Sequence, residues 1–172
     1  MAADRYSSTY WMHIAVRAAA KLIVLDKFLR DIWLECCGHM SAFEINGREY
    51  FSSGARELGG LSMNFEIWRV LRPGSKTLYL YDFGSTTQLV LTVAAERMAV
   101  ADGKNVQLLA RNDLPSILCD SCDEQATLVC TQCLCDDAGC LCDECAEHHE
   151  CEADFYLPVV NSPRVGTCAY AG

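Results

Sequence analysis

Between residues 119 and 151 the chain reads CDSCDEQATLVCTQCLCDDAGCLCDECAEHHEC, which gathers nine of its twelve cysteines and two of its four histidines into 33 residues. The apolar residues of this segment come in patches of only a few. So short a stretch buries too little surface to fold unaided and needs cross-links. Those cross-links are disulfides, redox pairs or metal ions, and compartment and spacing decide among them. The N-terminal sequence MAADRYSSTYWMHIAVR lacks a basic region followed by an apolar one, so no export signal is read there. The longest run without Asp, Glu, Lys or Arg is Phe83 to Ala95, 13 residues, against roughly 18 apolar residues for a membrane span. The expectation is a soluble, cytoplasmic chain with no membrane partner, in which thiols stay reduced. That favours metal over disulfides. A redox role for Cys142-x2-Cys145 is disfavoured by Asp143 and Glu144, which raise thiol pKa values.

The spacing resolves into four pairs: Cys119-x2-Cys122, Cys130-x2-Cys133, Cys142-x2-Cys145 and His149-x-Cys151. Two thiolates at C-x-x-C spacing bind one tetrahedral zinc ion from a single tight turn. Eight donors suffice for two closed sites, so two zinc ions are expected as cofactors. The order suggests a cross-brace, with Cys119, Cys122, Cys142 and Cys145 in one site and Cys130, Cys133, His149 and Cys151 in the other. His148, three residues before Cys151, is a rival for His149. The layout resembles B-box and AN1-type zinc fingers, and the latter also end in H-x-C, which selects His149. Four protein ligands per ion leave no open position for water, the mark of a structural rather than a catalytic site. Cys135 and Cys140 lie between the second and third pairs, either idle or as replacement ligands.

Composition is globular: 51% hydrophobic, 22% charged, four prolines and 11 glycines leave little room for disorder. The net charge of −9 is uneven. Residues 1–118 hold 13 basic and 12 acidic side chains, net +1; residues 119–172 hold one Arg and 11 acidic residues, net −10. The Cys-rich part therefore repels a phosphate backbone.

Residues 10–16 (YWMHIAV) read as a first strand. Residues 24–37 place Leu25, Phe28, Leu29, Ile32 and Trp33 at helical spacing, with Gly38 as a natural stop. Residues 41–51 carry Asn46-Gly47 between two β-prone runs, a hairpin signal. Residues 62–71 read as a short helix capped by Ser62, with a strand as the alternative. Residues 77–83 and 88–95 read as paired strands, and residues 105–110 as another. Helix and strand segregate without regular βαβ alternation. The expected class is α+β, a mostly antiparallel sheet of roll type with one main helix, plus the small zinc module.

Outside the module, Cys36-Cys37 ends the main helix and reads as a pair of small hydrophobes or, alongside His39, as reactive or ligating groups. His39 itself reads as a cap or core histidine, and His13 as a packed or surface residue. Cys168 stands in the tail with no assigned role. Asp82-Phe83-Gly84 copies a kinase triplet without its accompanying motifs. The simpler reading is an Asp82 carboxylate that bonds turn amides of residues 85–87.

The segment LDKFLRDIW followed by GHMSAF (within residues 25–43) and YLYDFGSTTQL (residues 79–89) resemble the plasmid pRiA4b ORF-3-like family, also labelled mobile-element passenger proteins of a TnpR type. His39, Met40 and Phe43 match that family's H-L-x-x-F segment, and Tyr81, Asp82, Phe83 and Gly84 match its Y-D-F-G strand–turn. Ser85, Thr86 and Thr87 stand where the family carries an acidic pair and Trp, and Leu89 replaces a frequent His. The resemblance covers about residues 10–115, with the tail 157–172 similar to the family's C-terminal end. It implies an α+β roll in which residues 1–118 form the domain, 119–151 an inserted zinc module, and 152–172 a tail returning to the core. It brings no established activity.

The function expected is non-enzymatic: a zinc-binding protein with a protein-interaction or scaffolding role, linked through the resemblance to mobile elements, whose acidic module suits a basic protein partner. Two alternatives stand beside it. One is association with nucleic acid through the near-neutral N-terminal part. The other is an enzyme using Asp82, Tyr81 and His39.

Overall fold

The computed structural model describes residues 9–99, 103–136 and 138–172. The class is α+β, with one main helix and ten strands in mostly antiparallel sheets among the described residues. Two compact units are present. The first to be described comprises the described residues of 12–32 and 38–111; the second comprises residues 9–11 and the described residues of 33–37 and 112–172. This division differs from the sequence-based one at 118/119 and 151/152, since residues 152–172 share a unit with the Cys-rich segment. No helix among the described residues is long and apolar enough to cross a membrane.

The first unit is organised by a five-stranded sheet in the order β4-β3-β2-β5-β6, with β2 Ser41–Ile45, β3 Arg48–Phe51, β4 Leu61–Ser62, β5 Lys76–Tyr81 and β6 Thr87–Thr92. The β2–β3 hairpin turns on Asn46 (φ 51°) and Gly47 (φ 73°). Two successive positive φ values give the primed turn whose twist matches that of the strands. The middle strands supply the core: Phe43, Tyr79 and Tyr81 are fully buried, and the Phe43 and Tyr79 rings lie 4.7 Å apart. A separate antiparallel pair joins β1 Met12–Val16 to β7 Val106–Arg111, with a bulge between His13 and Ile14.

Helix α1 spans Leu22–Leu29 and continues as a π-helical turn over Arg30–Leu34. It buries Leu22, Leu25, Asp26 and Leu29, one face of a 3.6-residue repeat. Each buried leucine contributes about 1.5–3 kcal/mol of apolar burial. The sequence reading placed this helix at 24–37, and both ends differ for local reasons. At the start, the Leu22 N–H donates to the Phe65 carbonyl at 3.0 Å and the Ile23 N–H to that of Met63 at 3.1 Å. Backbone acceptors thus cap a helix that has no side-chain cap. At the end, the Trp33 carbonyl accepts the Ser162 hydroxyl at 2.5 Å, and Gly38 (φ 79°) turns the chain away.

Asp26 is almost fully buried and accepts the Tyr79 hydroxyl at 2.7 Å and the Ser41 hydroxyl, with Arg30 3.8 Å away. Burial and the neighbouring Asp26 carboxylate both push the Tyr79 phenol well above its ordinary pKa. Residues 62–71 are not one helix. Ser62 closes β4, and the Met63 N–H donates to the Phe51 carbonyl at 3.2 Å, so helix α2 is confined to Ile67–Val70.

The second unit holds a three-stranded antiparallel sheet in the order β10-β8-β9, with β8 Leu128–Cys130, β9 Cys140–Leu141 and β10 Tyr156–Pro158. Ile117, Ala126, Val129, Leu134, Cys140 and Val165 form its main apolar cluster, with Val159 and Val160 packed against it. The tail is thus part of this core. Side-chain bonds between Asn112 and Asn161 (2.9 Å) and from Asn161 to the Asn112 carbonyl (2.8 Å) tie the two ends of the segment together.

Candidate metal centres

The sulfurs of the Cys-rich segment are presented by short turns and one helix end. Cys119 opens a turn in which its N–H donates to the Glu124 carbonyl (2.7 Å) and its carbonyl accepts the Asp123 N–H (3.1 Å), with Asp123 at φ 63°. Asp120 holds this turn to the next strand, since its carboxylate accepts the Cys140 N–H at 2.7 Å. Cys142 caps helix α3 (Asp143–Glu147), and its sulfur accepts the Cys145 N–H at 3.4 Å. Each C-x-x-C pair therefore converges through its own backbone geometry, whatever the rest of the chain does.

The structure brings Cys119, Cys122, Cys142 and Cys145 together, and Cys130, Cys133, His149 and Cys151 together. In each group all donor atoms lie within 4.8 Å of one another. The pairs interleave, first with third and second with fourth. The Cys122 and Cys142 sulfurs are 3.6 Å apart, as are those of Cys133 and Cys151. A disulfide requires about 2.0 Å, and all twelve cysteines are thiols. Four sulfurs at about 2.3 Å around a tetrahedral ion stand about 3.8 Å from each other, close to the spacing seen.

His149 is half-buried, and its Nε2 is buried with no hydrogen-bond partner among the described residues. The imidazole and the Cys130 thiol face each other, so ring and sulfurs converge on one point, where a metal ion would satisfy the buried nitrogen. His148 is exposed, caps the end of α3 and belongs to neither group. Tyr156 steadies the second group from outside, its hydroxyl donating to the Cys151 carbonyl at 3.0 Å and its ring 6.0 Å from that of His149.

Electrostatics within each group are those of crowded thiols. Burial pushes Cys119 up, but the backbone N–H groups of Cys142, Ser121 and Cys122 outweigh it and bring the thiol down to about 6. Burial likewise raises Cys130, while the Cys133 N–H and the His149 side chain bring it down to about 7. A hydrogen bond shared with the Cys151 thiol pushes Cys133 up to about 12. Sharing hydrogen bonds with Cys122 and Cys142 drives Cys145 up as well. Once one thiol in a group is ionised, its negative charge holds protons on the others until a cation arrives.

The remaining cysteines divide. Cys140 is buried in the main apolar cluster, and Cys135 is exposed on the turn Leu134–Asp136. Neither belongs to a donor group. Within the second unit Cys36, Cys37 and Cys168 lie together, the Cys37 sulfur 3.6 Å from that of Cys36 and 3.5 Å from that of Cys168. Sequence reasoning left Cys168 without a role. The signal that could have found it was the Cys36-Cys37 pair, one donor short of a site.

Asp82, Tyr81 and His39 also come together. His39 Nε2 lies 3.5 Å from Asp82 Oδ2, and its ring meets Tyr81 edge-on at 5.8 Å. Tyr81 is fully buried under the Arg30 guanidinium. The Asp82 carboxylate accepts the Gly84 N–H at 2.9 Å within its turn.

The geometry defines a protein with Cys/His clusters that can hold metal ions. Comparison with protein-family models, with curated proteins and with solved structures found no match to this chain.

Proposed function

We propose that this chain is a non-enzymatic zinc protein whose Cys-rich unit, fixed by one ion in each interleaved tetrad, serves as a protein-interaction surface. The observation that carries this reading is the closure of both tetrads. Each supplies four protein donors at tetrahedral spacing, with a buried, unpartnered imidazole nitrogen in one of them. A closed set of four cysteines, or of three cysteines and a histidine, suits structural zinc, which contributes folding free energy and leaves no position for a reacting water. The net charge of −10 over residues 119–172 suits a basic protein partner and disfavours a phosphate backbone. The resemblance of residues 10–115 to the plasmid pRiA4b ORF-3-like family supports a role linked to mobile elements.

The test is metal content of the full-length chain purified without chelator. Cys119→Ser and Cys130→Ser should each lose about one zinc equivalent relative to the parent, and the double variant about two. Loss of neither would remove the ligand assignment. Loss of both from a single substitution would replace two sites by one shared cluster.

A further inference from the structure

Apart from Cys135, three cysteines of the second unit lie outside both tetrads and outside its apolar clusters: Cys36, Cys37 and Cys168. We propose that they form a three-thiolate site for Cu(I), separate from the zinc tetrads and open to exchange.

The first argument is that the unit itself builds the cluster. The Ser162 hydroxyl donates to the Trp33 carbonyl at 2.5 Å and accepts the Arg164 N–H at 2.9 Å. One side chain thus pins the segment 33–37 to the tail. The tail then winds through successive turns, with the Thr167 N–H donating to the Arg164 carbonyl at 3.0 Å and the Tyr170 N–H to that of Thr167 at 3.2 Å. Cys168 sits in the second of these turns at φ 55°, a left-handed conformation that a residue with a Cβ adopts at a cost. Strained positions of this kind cluster where a side chain is held for a ligand.

The second argument is spacing. The Cys37 sulfur lies 3.6 Å from that of Cys36 and 3.5 Å from that of Cys168, 131 positions away, and the outer two lie within 4.8 Å of each other. An ion central to three sulfurs so placed stands roughly 2.1–2.4 Å from each, the length of a metal–thiolate bond. Thiolates select soft ions: Cu(I), zinc and the iron of Fe–S clusters. Zinc in a closed site takes four protein ligands, and among the described residues no further donor of this unit joins the three. Cu(I) has no demand for a fourth ligand and is satisfied by three sulfurs in a plane.

The third argument is charge and access. Three thiolates and one Cu(I) carry two net negative charges. Arg164 is completely buried, and its Nη2 lies 3.6 Å from the Cys36 sulfur. Its guanidinium opposes the charge of the loaded site, and outer contacts of this kind orient metal-bound sulfur. Cys36 is half-buried, whereas Cys37 and Cys168 are exposed. The ion is anchored at one sulfur and reached from solvent at two, which suits transfer by thiolate exchange rather than a structural role.

The experiment is an anaerobic titration of the zinc-loaded full-length chain with Cu(I) delivered from a chromophoric Cu(I) chelator, reading copper transferred and zinc released together. The parent should take up about one Cu(I) equivalent before any zinc is released. Cys168→Gly removes one sulfur, and glycine suits φ 55°. In that variant and in Cys37→Ser the zinc-retaining equivalent should be lost. In Cys135→Ser, which changes an exposed cysteine outside the cluster, it should be kept. Should Cys37→Ser fail to fold, Cys168→Gly decides the matter. Zinc release from the first addition to the parent, or uptake unchanged in Cys168→Gly, would overturn the proposal. So would about three zinc equivalents in the parent with one lost in Cys168→Gly, since zinc would then be the ion held. An intact mass two hydrogens light, locating a Cys37–Cys168 disulfide in the freshly isolated chain, would also overturn it. The zinc reading fails separately: with no zinc in the tetrads, a difference of about one Cu(I) equivalent between parent and Cys168→Gly still supports this site, and no difference overturns it.

Discussion

Gly139→Ala tests whether folding and metal binding in the Cys-rich unit are one equilibrium. A Cβ built at Gly139 would lie 2.6 Å from both the Leu134 Cα and the Leu134 nitrogen, and 2.8 Å from the Cys130 carbonyl oxygen. All three are backbone atoms, so no side-chain rotation relieves the clash. The loop has to move. Gly139 also accepts the Cys130 N–H through its own carbonyl at 2.7 Å, so movement there displaces a residue of the second tetrad. Overpacking of this kind costs about 1–3 kcal/mol. If the metal sites supply the folding free energy of this unit, that cost appears as weaker zinc binding. At about 1.4 kcal/mol per tenfold, the apparent affinity falls roughly 5- to 150-fold. Stoichiometry stays unchanged, because every donor is still present. The assay is competition with a chromophoric zinc chelator on the full-length chain, with Gly47→Ala as control. That substitution strains a left-handed hairpin residue (φ 73°) but meets nothing within 4 Å, and it should leave the zinc curve in place. An unaltered curve for Gly139→Ala, or a lost equivalent, would refute the reasoning.

Tyr79→Phe removes the hydroxyl that donates to buried Asp26 at 2.7 Å. It should cost about 1.5–3 kcal/mol, the range for a hydrogen bond to a charged group, read as a lower urea midpoint. Zinc binding should weaken as pH falls, because each thiol still protonated in the metal-free protein must give up its proton to bind. With Cys133 pushed up to about 12 and Cys145 and Cys122 also raised, affinity should drop at least about tenfold per pH unit between about pH 8 and about pH 6. The same chelator competition at several pH values measures it, and a flat profile would mean that the ligating groups do not titrate as thiols.

The division between what could be read and what could not follows the range of the interactions. The Asn46-Gly47 hairpin, the strands at 76–81 and 87–92 and the main helix rest on local rules, two successive positive φ values or a repeat of 2 or 3.6 residues. The ends of that helix did not follow from such rules. Carbonyls of residues 63 and 65 set its start, and Ser162 draws off the Trp33 carbonyl at its end. Nor was the exposure of tryptophan legible: Trp33 is buried, while Trp11 and Trp68 are about half-exposed.

The same holds for the candidate metal ligands. The sequence by itself determined the three C-x-x-C pairs, because a thiolate pair meets within one turn of backbone and its spacing is its geometry. Only the tertiary structure decided the rest. It turned His149 rather than His148 toward Cys130 by ending α3 at Glu147. It carried Cys168 across 131 residues to Cys37 and buried the lone arginine of an acidic segment against Cys36. Contacts at that separation depend on how the whole unit packs, and no spacing within a short window of sequence encodes them.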